Sequence, residues 1–178
     1  ARVATKQAAA LAGIKVLRLI NEPTAAALAY GLETEAEGIY AIYDFGGGTF
    51  DISLLNLKEG VFQVLGTGGD LRLGGDDIDH ALASSLQLSD VKEARRIKER
   101  LSEEPLVEGV SRNLLEEIAS PFVKRTLKIA QEVVKEAGLS FKEIKGLVLV
   151  GGMTRMPLVK REVEKLFGIV PLCDIDPD

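Results

Sequence analysis

The sequence predicts an α/β fold, a mixed sheet with packed helices, and the order of its elements is what predicts it. Three short apolar runs joined by tight turns come first, over residues 38–43, 50–55 and 61–65. A series of helical patterns follows between residues 76 and 136. A continuous apolar run at 146–150 then turns through Gly151 and Gly152 into a further helix over 155–167. Strands, then helices, then a strand–helix unit pack as layers of both kinds around one core.

Taken in order, residues 1–11 are alanine-rich and helical, with Gly13 placed to end the helix. Residues 14–20 alternate apolar and polar and read as a strand. Asn21 is a good N-cap, and Pro23 fits the first turn of a helix that runs through the alanines to Tyr30 and stops at Gly31. Small side chains on that helix permit a close neighbour. Residues 33–37 form an acidic loop. The three apolar runs then read as a meander. Residues 66–70 and 73–77 are glycine-rich turns leading into a helix over 76–88, with Ile78, Ala81, Leu82 and Leu86 at core spacing. Ser89 and Asp90 cap a helix over 91–102, which Glu104 and Pro105 break. Ser111 opens a long helix that ends at Gly138, and Pro121 is expected to kink or divide it. Residues 140–143 are a short connector to the buried strand at 146–150.

Composition narrows the function classes. The chain has 178 residues, 46% of them hydrophobic, enough for a real core and against disorder. Net charge is −5, and no basic cluster suggests nucleic acid. The charged run at 92–100 mixes both signs and reads as a solvated helix face. One cysteine, Cys173, excludes an internal disulfide and favours a reducing, cytoplasmic setting. Together with a single histidine, His80, it argues against structural zinc. Cys173 reads as a small buried residue and His80 as a helix-surface residue. No apolar run is long enough for a membrane span, and no signal peptide is visible. The chain opens at Ala1 and stops at Asp178 in mid-pattern, which reads as a piece of a longer protein.

The chemistry centres on Asp44-Phe45-Gly46-Gly47-Gly48-Thr49-Phe50-Asp51, between the first two strands. A tight hairpin needs one or two glycines. Three in a row leave successive N–H groups bare, a concavity that suits a phosphate. Thr49 adds a hydroxyl. Asp44 and Asp51 bracket the loop, and carboxylates beside a phosphate imply a cation between like charges. The other reading is a bulged hairpin with solvated ends. Gly151 and Gly152 make a second place where a nucleoside or phosphate could meet bare backbone, or else an ordinary strand-to-helix connection. The two glycine turns could face each other across one cleft.

Three segments resemble a known family. Asn21-Glu22-Pro23-Thr24 with the alanine helix to Gly31 resembles the crossing helix of DnaK-type chaperones, the heat-shock-seventy family. The octet with Tyr43 is similar to their second phosphate loop, and residues 150–157 to their adenosine motif. Gly69-Asp70, residues 73–79 and residues 176–178 also fit. The short middle and the ending at 175–178 resemble most the HscA branch, which serves iron–sulfur cluster assembly. The resemblance implies an actin-like (ribonuclease H-like) ATPase lobe with a shortened helical outer subdomain. It divides the chain into a lobe end and crossing helix (1–31), a first lobe part (32–79), the outer subdomain (80–112) and a second lobe part (113–178).

The same resemblance implies ATP or ADP with magnesium, and potassium as an optional further ion. Glu22 and Asp44 would be the catalytic carboxylates, ordering water and the metal's hydration shell. Asp44 and Asp51 would serve magnesium mainly through water. Gly46, Gly47, Gly48 and Thr49 would cradle the β- and γ-phosphates. Gly151, Gly152 and Arg155 would form the adenosine pocket, the guanidinium stacking on the base. Lys98 and Ser102 would contact ribose and base, and Asp178 would lie near the cleft. The implied partners are a J-domain co-chaperone and a client protein, reached through a longer chain, with no nucleic acid and no membrane.

This chain also departs from the family. Arg95 stands where a glutamate is frequent, and Met153 where a small or polar residue is. The outer subdomain is short, so dependence on a DnaK-type nucleotide-exchange factor is not expected. The other lobe, with its own phosphate loop and catalytic lysine, and the substrate-binding domain lie outside the chain. Two other functions stay open: a non-catalytic actin-like filament protein and a sugar kinase of the same superfamily. The Asn21-Glu22-Pro23-Thr24 helix favours the chaperone.

Overall fold

A computed structural model describes residues 2–30, 32 and 36–172. Its elements are α1 (Arg2–Leu11), α2 (Glu22–Ala29), β1 (Gly38–Phe45), β2 (Phe50–Lys58), β3 (Val61–Asp70), α3 (Gly75–Leu86), α4 (Val91–Glu103), β4 (Leu106–Val107), β5 (Val110–Ser111), α5 (Arg112–Glu136), β6 (Ile144–Val150) and α6 (Pro157–Phe167). A four-stranded sheet runs in the order β3-β2-β1-β6. β1, β2 and β3 form the antiparallel meander, and β6 joins β1 in parallel after the helical excursion. This is the mixed α/β lobe that the sequence predicts.

Strand alternation sorts the side chains onto two faces. Ala41, Tyr43 and Phe45 of β1, with Phe50, Ile52 and Leu54 of β2, point to a large core shared with α3, α4, α5 and α6. Tyr40 and Ile42, with Leu55 and Leu57, point to a smaller cluster covered by Ala26 and Ala27 of α2. The alanines let α2 lie close, and the Tyr30 hydroxyl donates to Leu149 O at 3.2 Å. Asp44 and Asp51 alternate onto this second face. Its thin cover leaves room for a cleft.

One buried polar pair locks α5 to the sheet. The Thr126 hydroxyl donates to Val123 O at 2.6 Å, so the Tyr43 hydroxyl must donate to Thr126 Oγ1. Burial pushes the Tyr43 hydroxyl well above the usual tyrosine range, which keeps it a donor. Thr126→Val should therefore cost about 2 kcal/mol by orphaning that hydroxyl. Adding Tyr43→Phe should recover most of the loss in urea denaturation, since both polar partners are then gone.

The structure corrects several expectations. Residues 14–20 form no strand: they carry no regular secondary structure, with Ile14 and Leu17 exposed. A strand needs a ladder partner, and no described strand lies beside them. The glycine turn expected at 66–70 is instead the end of β3, pairing Gly68 with Ile52 and Asp70 with Phe50. Glycine is needed there because α5 lies so near that a Cβ on Gly68 would meet Val133 Cγ2 at 2.4 Å. Pro121 does not divide α5, which is assigned as one helix of 25 residues. Asn21 holds the N-cap position, but its side chain accepts from Arg2 Nη2 at 2.9 Å instead of capping. The last helix is split: Gly152–Arg155 is a 3-10 turn, and α6 starts at Pro157. The β4–β5 hairpin, turning at Glu108 and Gly109 with positive φ, is an element not expected from the sequence. The expectations for Gly31, most of the acidic loop, Cys173 and residues 176–178 lie outside the described residues.

Candidate functional site

The three glycines at the tip of β1–β2 are not demanded by the fold. None has a positive φ. A Cβ on Gly48 would meet nothing within 4 Å, and Cβ atoms on Gly46 and Gly47 would meet single atoms at 3.8 and 3.7 Å. The chain could carry side chains there, and the bare backbone stands exposed at Gly47, Gly48 and Thr49. What the glycines leave free is the space above the loop.

The loop is held from below. Gly75 N–H donates to Gly46 O at 3.0 Å, and Asp76 N–H to Gly47 O at 2.7 Å. The start of α3 is thus bonded to the loop's carbonyls. Gly74 makes this possible, since a Cβ there would lie 2.2 Å from Gly47 O. On the other side Gly151, at φ 86°, passes so near that its Cβ would lie 2.5 Å from Phe45 O and 2.9 Å from Asp44 Oδ1.

Two cavities flank the loop. The larger, about 630 Å³, brings Gly47, Lys98, Ser102, Gly152 and Arg155 together, residues from three separate parts of the chain. Met153 and Met156 supply an apolar wall. The smaller, about 400 Å³, holds Glu22, Asp44 and Asp51 between α2 and the sheet. Gly46, Gly48, Thr49 and Gly151 line neither cavity.

The carboxylates are set against one another. Asp44 and Asp51 are direct cross-strand partners. Like charges in that position destabilise a sheet. Burial first, then Glu22 and Asp51, raise the Asp44 pKa to about 6. Among the described residues no three Asp, Glu, His or Cys side chains are grouped tightly enough to wrap an ion directly. A hydrated cation that keeps most of its waters fits this donor set better than a stripped one.

The sequence reading missed the charge cluster beside the loop. Asp79 is fully buried, with Lys98 Nζ 2.7 Å from Oδ1 and Arg95 Nε 2.9 Å from Oδ2. Lys98 also donates to Gly75 O at 3.1 Å. The run at 92–100 is therefore a solvated face only in part, since Lys98 is buried while Arg96 and Arg100 pair with Glu108 and Glu104 at the surface. The available signal was spacing: Asp76 and Asp79 are three residues apart, as are Arg95 and Lys98. His80 lies on the helix surface as expected, its Nδ1 2.7 Å from Asp76 O.

The mixed sheet, the helices on its larger face and the glycine loop between two clefts define a lobe of the actin-like ATPase fold. The Hsp70 protein family model matches residues 1–107 and 87–178. The chain belongs to that family. It is 51% identical over 201 residues to a chaperone protein HscA homolog of Pseudomonas aeruginosa, covering 99% of this chain and 32% of that protein. It is 48% identical over 205 residues to a chaperone protein HscA homolog of Burkholderia thailandensis, covering 99% and 33%. A homolog from Burkholderia cenocepacia is 47% identical over 205 residues. The chain spans about a third of the length of the curated relatives it matches. Among the described residues no helix is long and apolar enough to cross a membrane.

Proposed function

We propose that this chain is part of the ATP-binding and ATP-hydrolysing domain of an HscA-type chaperone. The observation that carries the reading is the glycine loop, where the backbone at Gly47 and Gly48 stands exposed and no contact in the chain requires glycine, close to a nucleoside-sized cavity and a carboxylate cleft. ATP supplies the phosphoryl group, and magnesium the neutralising charge, when they are bound. Phosphoryl transfer to water asks the protein chiefly for positioning. Gly47 and Gly48 donate backbone N–H groups, and Thr49 its hydroxyl, to phosphate oxygens, while Gly46, whose N–H donates to Thr49 O at 3.1 Å, closes the loop. Gly152, Ser102, Lys98 and Arg155 hold the nucleoside. Glu22, Asp44 and Asp51 hold the hydrated cation, and Asp44 accepts a hydrogen bond from the attacking water.

In the full-length protein the nucleotide state would bias closure of this lobe on another, and so the grip on a client protein. A J-domain co-chaperone, a cytoplasmic setting and a role in iron–sulfur cluster assembly or protein folding belong to the same reading. The alignments to the relatives are longer than this chain, so those relatives carry residues that it lacks. A shortened outer subdomain over 80–112 and independence from a DnaK-type exchange factor belong to the same reading. The HscA relatives favour the chaperone over an actin-like filament protein.

The isolated chain should show negligible ATPase turnover and weak nucleotide binding at most, because half of the proposed clamp lies outside it. Steady-state phosphate release and an ATP titration of the isolated chain check this, and substantial hydrolysis would sink it. For the reading as a whole, ATP titration and turnover of the full-length protein decide: no binding there removes the proposal.

A further inference from the structure

The phosphate loop has a carboxylate beside it. Asp76 binds the loop through its backbone, and a Cβ built on Gly47 would lie 3.7 Å from Asp76 Oδ1. Its side chain is half exposed and lines the larger cavity. A negative charge there repels any phosphate resting on the loop. Arg95 answers it. Its Nη2 pairs with Asp76 Oδ1, while its Nε pairs with buried Asp79. Lys98 already pairs with Asp79 from the other side. Two cations therefore face two carboxylates, and the cluster is neutral only with Arg95 present.

Resting on the nucleotide-site reading, we propose that Arg95 is a positioning residue that masks Asp76. It sets how tightly the cleft holds phosphate groups, not how tightly it holds the nucleoside. Loss of Arg95 leaves one uncompensated negative charge next to the loop. The penalty then grows with the charge of the ligand: greatest for ATP, smaller for ADP, small for adenosine. It also fades as salt screens it.

The test uses the full-length protein and calorimetric titrations of ATP, ADP and adenosine. Arg95→Ala should weaken ATP about tenfold more than it weakens adenosine, a ratio typical of one nearby charge. The ratio should shrink in about 0.5 M salt, where the Debye length falls to a few ångströms. Adding Asp76→Asn should restore the ATP-to-adenosine ratio, and Arg95→Lys, which keeps the charge, should retain most of it. A purely structural role for Arg95 would lower all three ligands alike and resist rescue by Asp76→Asn, and that result overturns the inference. Wild-type protein that binds none of the three overturns the nucleotide reading itself. Wild-type binding with an unchanged ratio in Arg95→Ala overturns this inference alone.

Discussion

Gly74→Ala is expected to destabilise the chain by about 3 kcal/mol and to weaken ATP binding by the full-length protein at least about tenfold. Gly74 has an extended backbone, φ −159°, so alanine meets no conformational strain. The cost is contact. The new methyl would lie 2.2 Å from Gly47 O, 2.5 Å from Gly47 C and 2.6 Å from Gly48 Cα, all backbone that no rotamer can move. The loop must lift from α3, and the bonds from Gly75 N–H and Asp76 N–H to the loop carbonyls break with it. Gly48→Ala is the matching control. Nothing in the chain meets its methyl, so stability should stay within about 0.5 kcal/mol of wild type, while ATP binding falls because the methyl occupies the cradle. Urea denaturation and ATP titration separate the two. A Gly48→Ala variant that binds ATP normally would count against the cradle.

Asp44→Asn is expected to lower ATP turnover of the full-length protein about a hundredfold with nucleotide affinity changed only a few-fold, the range seen when a proton-accepting group is lost. Unchanged turnover would remove Asp44 from the proposed chemistry. The same substitution has the opposite sign for the free chain. Burial, Glu22 and Asp51 raise the Asp44 pKa from 3.8 to about 6. A raised carboxyl pKa means that the folded state binds the extra proton more firmly. Its stabilising contribution is complete below about pH 4 and is lost as pH rises through about 6. At pH 7 wild-type Asp44 is thus charged at a cost, and Asp44→Asn should stabilise the nucleotide-free chain by about 1 kcal/mol after discounting for partial exposure. The gain should vanish near pH 4, as thermal melts across that range would show. A function kept at the expense of stability is what a strained carboxylate cleft implies.

Much of this site could be read before the fold. The octet offers a candidate phosphate loop beside the reading as a bulged hairpin, because Gly46, Gly47 and Gly48 exceed what a hairpin needs, and Asp44 and Asp51 stand out because they bracket it. The β3 extension could not be read, because residues 66–70 have a turn's composition. They become strand only because β2 offers a ladder and α5 presses Val133 against Gly68. Residues 14–20 fail in the opposite way: their alternation suits a strand, but pairing is a property of two segments, and no described strand lies beside them. Arg95 shows the same limit in the site. Its sequence context is an exposed charged run, and only the packing of α4 on α3 turns it toward Asp76 and Asp79.

The sequence by itself determined the alternation of strands and helices, the surplus of glycine at the loop and which carboxylates the chain could use. Those are local matters, settled by side-chain period, backbone freedom and residue chemistry within a few positions. The tertiary structure decided which cavity each residue enters, that Asp44 would be held near a pKa of about 6, and that Arg95 would neutralise a carboxylate at the loop's edge. Burial and the distance between charges set these, and neither exists until segments far apart in the chain are packed together.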